Sequence, residues 1–124
     1  MPEIPDVEYF KRYLDSTALH KKIESVIIKN PKVLGKNLSS HVLEKKLIGK
    51  RFTGTFRHGK YLFVELNTST TMMLHFGMTG HLLYSKQEKE NEIKHERIRF
   101  NFVNGYHLSY ISQRMLGKLE LVES

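Results

Sequence analysis

Apolar residues recur at helical spacing at the start of this chain and alternate with polar residues in its second half. The helical stripe consists of Ile4, Val7, Leu14 and Ala18, with Phe10 and Tyr13 beside it. Pro5 suits the first turn of a helix, and the acidic residues that follow it suit the positive end of the helix dipole. The sequence therefore predicts a helix from about Pro5 to Ser16.

Two further elements are predicted before residue 50. Ile23 to Lys29 is rich in β-branched residues and is followed by Asn30-Pro31, so it is predicted to be a strand. A short second helix is predicted to begin after either Ser39 or Ser40 and to end near Gly49. The apolar residues of this helix are Val42, Leu43 and Leu47.

Beyond residue 50 the apolar residues follow a period of two, which is typical of strands with one buried face. Phe52 and Phe56 alternate with polar residues, and His58-Gly59 is predicted to form the two-residue turn of a hairpin. Asn104-Gly105 predicts a second hairpin with a type I′ turn, and Lys86–Glu92 is expected to be a polar loop. The remaining predicted strands are Lys60–Leu66, Thr71–Phe76, His81–Ser85, the alternating run of Ile98, Phe100 and Phe102, Tyr106–Ile111 and Lys118–Val122.

The predicted strands outnumber the helices, and their spacing is typical of a sandwich or barrel. The predicted fold class is α+β and mainly β. It is an antiparallel β-sandwich of about eight strands with an N-terminal helix and a second short helix. The 124 residues suffice for one hydrophobic core but not for two. Residues 1–124 are therefore predicted to form a single domain.

The charge balance favours a polyanionic partner. Lysine and arginine number 20 and aspartate and glutamate 13, which gives a formal net charge of +7. Nucleic acid is the first expectation and an anionic membrane surface the second. No apolar run approaches the roughly 18 residues of a membrane span, and the acidic, proline-containing N-terminus is unlike a signal peptide. The chain has no cysteine, which excludes disulfides and thiolate zinc sites, and a cytosolic location is expected.

The first eight residues, Met1-Pro2-Glu3-Ile4-Pro5-Asp6-Val7-Glu8, carry the most distinctive chemistry. Removal of Met1 would expose a secondary amine on Pro2, with the Glu3 carboxylate beside it. Such an amine can attack a sugar aldehyde carbon and form an iminium ion, provided that it is unprotonated. A free α-amino group is partly neutral near pH 7, unlike the amine of lysine. The alternative is that both prolines only stiffen the start of the helix.

Three later segments are candidates for binding a polyanion. Arg57-His58-Gly59-Lys60 places three cations on one hairpin tip, where they either bind a phosphate oxygen or remain solvated charges. In Phe76–Gly80 two glycines would lift Met78 onto a loop as a wedge between bases, or else Met78 folds back into the core. Arg114, beside the apolar residues of Gln113–Gly117, has the chemistry to replace an extruded base in a helix.

Together these segments resemble the N-terminal catalytic domain of the formamidopyrimidine-DNA glycosylase and endonuclease VIII family. The resemblance covers nearly the whole chain and rests on the opening eight residues, Arg57–Leu62, Leu74–Gly80 and the segment at Arg114. The Gly-Met-Thr-Gly turn favours the formamidopyrimidine branch. The resemblance implies a DNA-repair enzyme, a bifunctional DNA glycosylase and abasic-site lyase that removes oxidised purines.

The resemblance also implies roles for individual positions. Pro2 would attack the sugar C1′ and displace the damaged base, Glu3 would act as general acid at the sugar ring oxygen, and Lys60 would clamp a phosphate. An iminium would then link the protein to the sugar, and β-elimination followed by δ-elimination would cut the DNA strand. The positions predicted to contact DNA are Arg57, His75, Met78, His95, Arg114 and Leu116, of which Met78, Arg114 and Leu116 would fill the gap left by the flipped nucleotide.

Several positions depart from the family pattern. Asp6 replaces the usual glutamate, and Leu116 replaces the phenylalanine usual in the formamidopyrimidine branch, which removes one stacking surface. The segment Ser112–Met115 lacks the usual aspartate-proline and doubled arginine. The helix-two-turn-helix and zinc-finger half of the family is expected to be absent, and no cofactor is expected in a chain without cysteine.

The expected partner is double-stranded DNA with a damaged base or an abasic site, bound by a monomer in the cytoplasm in association with the nucleoid. No membrane partner is expected. The chain alone is expected to be weakly active or inactive, because a flipped base requires the second half of the family to close around DNA. The covalent step also requires that Met1 be removed. The alternative function is a non-catalytic, basic nucleic-acid-binding module, and a general RNA-binding barrel ranks last.

Overall fold

The computed structural model describes residues 4–86 and 92–123, with the backbone alone for Ile4 and Pro5. Its two α-helices are α1 (Ile4–Thr17) and α2 (Ser40–Leu47), and a 3₁₀ turn covers Pro31–Val33. The strands are β1 (Ile23–Ile28), β2 (Phe52–His58), β3 (Tyr61–Leu66), β4 (Thr70–His75), β5 (His81–Lys86), β6 (Glu96–Phe102), β7 (Tyr106–Ile111) and β8 (Lys118–Glu123).

The strands form two four-stranded antiparallel sheets, in the orders β1-β6-β7-β5 and β2-β3-β4-β8. Apolar side chains on the facing sides of the two sheets form one core. The ring of Phe52 in the second sheet meets those of Phe100 and Phe102 in the first sheet edge to face, with centroids 5.7 and 6.1 Å apart. The predicted α+β class and antiparallel β-sandwich are therefore confirmed.

The two helices cover different parts of the sandwich. Helix α1 contacts β2, β3 and β5, and α2 contacts β1. The predicted stripe is confirmed where its side chains are described, because Val7, Leu14 and Ala18 are all buried in the core. Phe10 lies beside this stripe, and its ring packs on that of Phe76 with centroids 4.6 Å apart. Helix α1 is thereby fixed against the end of β4.

The ends of α2 follow from local chemistry. The Ser39 hydroxyl accepts a hydrogen bond from the Val42 amide at 3.2 Å, so Ser39 rather than Ser40 is the N-cap. The helix ends at Leu47, and two residues later Gly49 has φ +84°. A left-handed glycine at this point is a common helix terminator, as the sequence predicted.

The turn of the β2–β3 hairpin lies one residue beyond its predicted position. His58 pairs with Tyr61, so the two turn residues are Gly59 and Lys60 rather than His58 and Gly59. Gly59 has φ +59°, as the first central residue of type I′ and II′ turns requires. The shift places Lys60 on the turn itself instead of at the start of β3.

The β6–β7 hairpin has a three-residue loop of Val103, Asn104 and Gly105, so the predicted type I′ turn is wrong. A type I′ turn needs positive φ at both central residues, whereas only Gly105 in this loop has positive φ, at +86°. The Val103 amide donates to the Lys22 carbonyl at 2.9 Å, which ties the loop to another part of the chain.

The loop predicted over Lys86–Glu92 falls mostly outside the described residues, which resume at Glu92, and Lys86 itself belongs to β5. Among the described residues, no helix has both the length and the apolar character to cross a membrane.

Candidate nucleic-acid interface

Four segments meet at one end of the sandwich: the first half of α1, the β2–β3 turn, the glycine turn after β4, and the loop before β8. Phe10 of α1 packs on Phe76 at the start of the glycine turn. Tyr61, which follows the β2–β3 turn, places its ring 5.1 Å from that of His75 at the end of β4. The segments that the sequence singled out are therefore neighbours in space.

The glycine turn and the loop before β8 are in direct backbone contact. Gly77 has φ +62°, and a Cβ atom built on it would lie only 2.6 Å from the Gly117 nitrogen and 2.7 Å from the Leu116 carbonyl carbon. Beneath them, the Tyr110 hydroxyl donates to the His75 carbonyl at 2.6 Å. Burial raises the pKa of Tyr110, so its hydroxyl stays protonated and keeps this bond. The two loops form one interlocked unit.

Met78 and Leu116 project from this unit into solvent, with 43% and 51% of their surface exposed. The alternative that Met78 folds back into the core is therefore wrong. The guanidinium nitrogen Nη1 of Arg114 lies 3.7 Å from the Met78 sulfur. Two apolar side chains and a cation thus lie together on the exposed side of the two loops. This is the composition expected of a wedge that enters a base stack.

His75 is half-buried beside this unit. Its Nδ1 accepts a hydrogen bond from the Gly77 amide at 3.1 Å. An imidazole that accepts at Nδ1 carries its proton on Nε2, so His75 presents an N–H donor. Such a donor suits a phosphate oxygen, and contact between His75 and DNA remains a prediction.

The hairpin tip does not present its three cations in the same way. His58 is exposed and Lys60 lies on the turn, but the Arg57 guanidinium is directed at α1. Its Nε lies 3.2 Å from Glu8 Oε2, and its Nη1 donates to the Gly59 carbonyl at 2.8 Å. Arg57 thus lies at the tip with its guanidinium engaged by Glu8 and Gly59, and its predicted contact with DNA remains untested.

His95 is joined to the Arg114 loop through Arg97. The Arg97 guanidinium donates to the carbonyls of Ser112 and Gln113 at 2.8 and 3.2 Å, and lies 3.5 Å from His95 Nδ1. The Ser112 amide in turn donates to the His95 carbonyl at 3.0 Å. Arg97 therefore fixes the two residues before Arg114 to the His95 segment, a link that sequence reasoning missed.

Glu96, next to His95, is buried with only 3% of its surface exposed. Burial alone would raise its pKa, but hydrogen bonds from Arg99, Lys29 and Ser109 together lower the pKa below the ordinary glutamate value. The Arg99 contact measures 2.8 Å. The carboxylate therefore stays charged and links Lys29, the residue after β1, to Arg99 of β6 and Ser109 of β7.

We expect Glu96→Gln to lower the free energy of unfolding by about 3 kcal/mol near neutral pH, because two cations lose their buried partner. A lowered pKa means that the carboxylate stabilises the fold above the unfolded-state pKa of about 4.3, and that this stabilisation is lost as pH falls through the folded-state pKa. Urea unfolding should therefore show that wild type and variant differ less in free energy of unfolding at pH 3 than at pH 7. An equal difference in free energy of unfolding at both pH values would contradict this account.

Pro2 and Glu3 lie outside the described residues, so the structure leaves their predicted roles untested. Within residues 4–86 and 92–123 no group of three or more potential ligands is arranged to hold a metal ion. The four-cysteine zinc site implied by the resemblance does not fit this chain, because the chain has no cysteine to supply the ligands.

Comparison with known families shows that residues 1–119 match the model of the formamidopyrimidine-DNA glycosylase N-terminal domain. The chain belongs to this family. Among curated relatives, the formamidopyrimidine-DNA glycosylase of Rhodococcus opacus (strain B4) is 37% identical over 119 residues, covering 94% of this chain and 41% of the relative. That of Lactobacillus johnsonii is 36% identical over 126 residues, covering 100% of this chain and 44% of the relative.

Solved structures give the same family. The Lactococcus lactis Fpg in complex with DNA containing an abasic site superposes with a TM-score of 0.91 at 28% identity, covering 99% of this chain and 45% of that one. The wild-type Lactococcus lactis Fpg bound to DNA containing N7-benzyl-Fapy-dG gives 0.90 at 29% identity, covering 98% and 44%. The chain spans less than half the length of these relatives.

The sequence brought attention to Met78, Arg114, Leu116, His75 and Lys60, and the fold gathers these residues at one end of the family domain. It missed the residues that hold them in place, which are Glu8, Arg97, Tyr110 and Gly117. Gly117 carried a partial signal, since a glycine after an exposed apolar run often marks a close backbone approach. The partners of Glu8 and Arg97 are distant in sequence and left no local pattern.

Proposed function

We propose that this domain acts in DNA repair as the catalytic part of a bifunctional DNA glycosylase and abasic-site lyase for oxidised purines. The observation that carries the proposal is the exposed group of Met78, Arg114 and Leu116 on two interlocked loops beside His75. The formamidopyrimidine-DNA glycosylase names of the curated relatives and the DNA complexes of the Lactococcus lactis protein support it.

The proposed chemistry begins at the N-terminus after Met1 is removed. The neutral Pro2 amine attacks C1′ of the damaged nucleotide, the bond from C1′ to the base breaks, and the base leaves with the bonding electrons and takes up the proton that the attacking nitrogen releases. Glu3 protonates the sugar ring oxygen, the ring opens, and the nitrogen lone pair forms the iminium. Elimination of the 3′ phosphate, followed by the 5′ phosphate, then cuts the strand and water releases Pro2.

The remaining predicted residues bind and distort the DNA in this proposal. Lys60 on the hairpin turn and the Nε2–H of His75 bind phosphate oxygens near the reacting sugar, with His95 as a further phosphate contact. Met78 and Leu116 enter the base stack and Arg114 hydrogen-bonds the orphaned partner base. Arg57 is the exception, because its guanidinium already binds Glu8 and Gly59.

We further propose that the domain works as a monomer on double-stranded DNA with a damaged base or abasic site, in the cytoplasm and near the nucleoid. The net charge of +7 supports a polyanionic partner. The amine mechanism needs no cofactor from this chain. A second half like that of the family would be required to close around the flipped nucleotide.

The test is borohydride trapping of the Met1-free chain on abasic-site DNA, together with excision of an oxidised purine from duplex DNA. We expect a covalent adduct with the wild type that forms slowly, because this chain alone is expected to be only weakly active. Glu3→Gln should leave DNA binding nearly unchanged and cut base removal by on the order of 100-fold, because general acid catalysis of this kind contributes about that much. Full glycosylase activity in Glu3→Gln would contradict the general-acid role.

The alternative function, a non-catalytic nucleic-acid-binding module, gives a different result in the same experiment. It predicts salt-sensitive DNA binding with no covalent adduct at any protein concentration. The net positive charge of the chain favours the binding module and the glycosylase equally. Adduct trapping, and not DNA binding, therefore decides between the two functions.

A further inference from the structure

Helix α1 and the β2–β3 hairpin are joined by one side chain. The Arg57 Nε lies 3.2 Å from Glu8 Oε2, while its Nη1 donates to the Gly59 carbonyl at 2.8 Å. A guanidinium is planar, so the directions of its N–H groups are fixed relative to one another. Arg57 therefore fixes α1 relative to the turn that carries Lys60.

This contact is unlike the ordinary surface ion pair that Glu8 makes on its own helix. Arg12 Nε lies 3.6 Å from the other Glu8 oxygen, and the Arg12 side chain is 78% exposed. The Arg57 side chain is only 29% exposed and makes two bonds with different segments. Ion pairs between exposed side chains contribute little, whereas a shielded, two-bonded arginine holds a defined geometry.

The contact also lies near both proposed reactive groups along the chain. Glu8 is in the second turn of α1, which begins at Ile4. Pro2 precedes Ile4 by two residues, so covalent geometry alone keeps their Cα atoms within about 7 Å of one another. Lys60 directly follows Gly59. A shift of α1 away from the hairpin would therefore move the point at which the Pro2 segment is attached relative to Lys60.

We propose that Glu8 and Arg57 form a clasp that positions the Pro2 amine relative to the phosphate bound by Lys60. Both are positioning residues, and the inference rests on the proposed function. The reason for such a clasp is that attack at C1′ requires a near-attack geometry, and a misplacement of about 1 Å can slow a reaction on the order of 100-fold. The clasp explains a glutamate at the end of the opening segment without giving it contact with substrate.

The chain offers a matched control. Asp15, seven residues further along α1, accepts a hydrogen bond from the hydroxyl of Thr55 on β2. It also pairs with Lys11 at 2.9 Å. Asp15→Asn therefore disturbs a second polar contact between the same helix and the same strand, away from the N-terminus. It should affect stability as the clasp variants do, but not the position of Pro2.

The experiment measures two quantities on abasic-site DNA: the single-turnover rate of adduct formation at saturating DNA, and the DNA dissociation constant over a range of salt concentrations. The Met1-free variants are Glu8→Gln, Arg57→Gln, Arg57→Lys, the double variant Glu8→Gln/Arg57→Gln and the control Asp15→Asn. Separating rate from binding shows whether a side chain positions the amine or contacts the DNA.

We expect Glu8→Gln and Arg57→Gln each to slow adduct formation by about tenfold, with dissociation constants changed by no more than about twofold. The double variant should be no slower than either single variant, because both remove one shared interaction. Arg57→Lys should resemble Arg57→Gln, since lysine keeps the charge but lacks the planar fork. Asp15→Asn should keep the wild-type rate.

A different pattern overturns the clasp. Arg57 is a phosphate contact if Arg57→Gln weakens DNA binding while Glu8→Gln does not. In that case Arg57→Gln should also lower, by about one, the slope of the logarithm of the DNA-binding constant against the logarithm of the salt concentration. If wild type forms no adduct at all, even when the second half of a family member is supplied on the same chain, the proposed function fails instead. The clasp is then judged by the double-variant cycle in urea unfolding, where strictly additive losses of stability for Glu8 and Arg57 would refute it.

Discussion

We expect retention of Met1 to abolish the borohydride-trapped adduct with abasic-site DNA while leaving DNA binding nearly unchanged. With Met1 in place, the Pro2 nitrogen is part of a peptide bond, and its lone pair is delocalised into the carbonyl. The only α-amine is then on Met1, about 3.8 Å further along the backbone and primary rather than secondary. Both changes remove the nucleophile from its position, so the rate should fall by at least about 100-fold.

The comparison uses one chain in two forms, before and after treatment with a methionine aminopeptidase, with intact mass confirming each form. Because the residues that bind DNA are the same in both, equal dissociation constants are the internal control. An adduct of equal yield in the Met1-retaining form would show that another amine is the nucleophile. Peptide mapping of the trapped adduct would then identify that amine, with the exposed lysines as the first candidates.

Local spacing was enough to predict most of the fold. β7 begins and ends at the residues predicted, Tyr106 and Ile111, because strand alternation is set by adjacent residues. The turns were less accurate, since their register depends on which residues pair across the hairpin. The His58–Tyr61 pair moves the first turn by one residue, and a bond from Val103 to Lys22 accompanies a longer second turn.

In the site too, features set by neighbouring residues were predictable, and features set by residues distant in sequence were not. Glycines flanking an apolar residue predicted that Met78 would be exposed, and it is. The direction of Arg57 was not predictable from its own hairpin, because its partner Glu8 lies 49 positions away in sequence. In the same way, nothing in the local sequence shows how the charged side chain of Glu96 can be stable in the interior, where it is buried. Only the packing of three strands supplies the donors that stabilise it there.

A single added carbon at Gly117 is expected to destabilise the domain and to disorganise the wedge at the same time. A Cβ built on Gly117 would lie 1.9 Å from the Tyr110 hydroxyl and 2.5 Å from the His75 carbonyl oxygen. The carbonyl is backbone and cannot move without shifting the end of β4. We therefore expect Gly117→Ala to lower the free energy of unfolding by about 3 kcal/mol, near the upper end for overpacking.

The same change should weaken binding to abasic-site DNA, because it separates the loop of Arg114 and Leu116 from that of Met78. The Tyr110 bond to the His75 carbonyl lies directly beneath this junction. Urea unfolding and salt-dependent DNA binding measure the two effects separately. Binding is measured well below the unfolding midpoint, so that a loss of affinity reflects a displaced loop and not unfolded protein.

Two further variants establish the cause. Gly54→Ala adds the same carbon in β2, where the nearest atom is Glu65 Oε1 at 3.4 Å, and it should change stability and binding little. Adding Tyr110→Phe to Gly117→Ala removes the hydroxyl in closest conflict and should restore part of the stability, with the His75 carbonyl preventing full recovery. If Gly117→Ala behaves like Gly54→Ala in both measurements, the two loops do not depend on close backbone contact, and the wedge is held by its side chains instead.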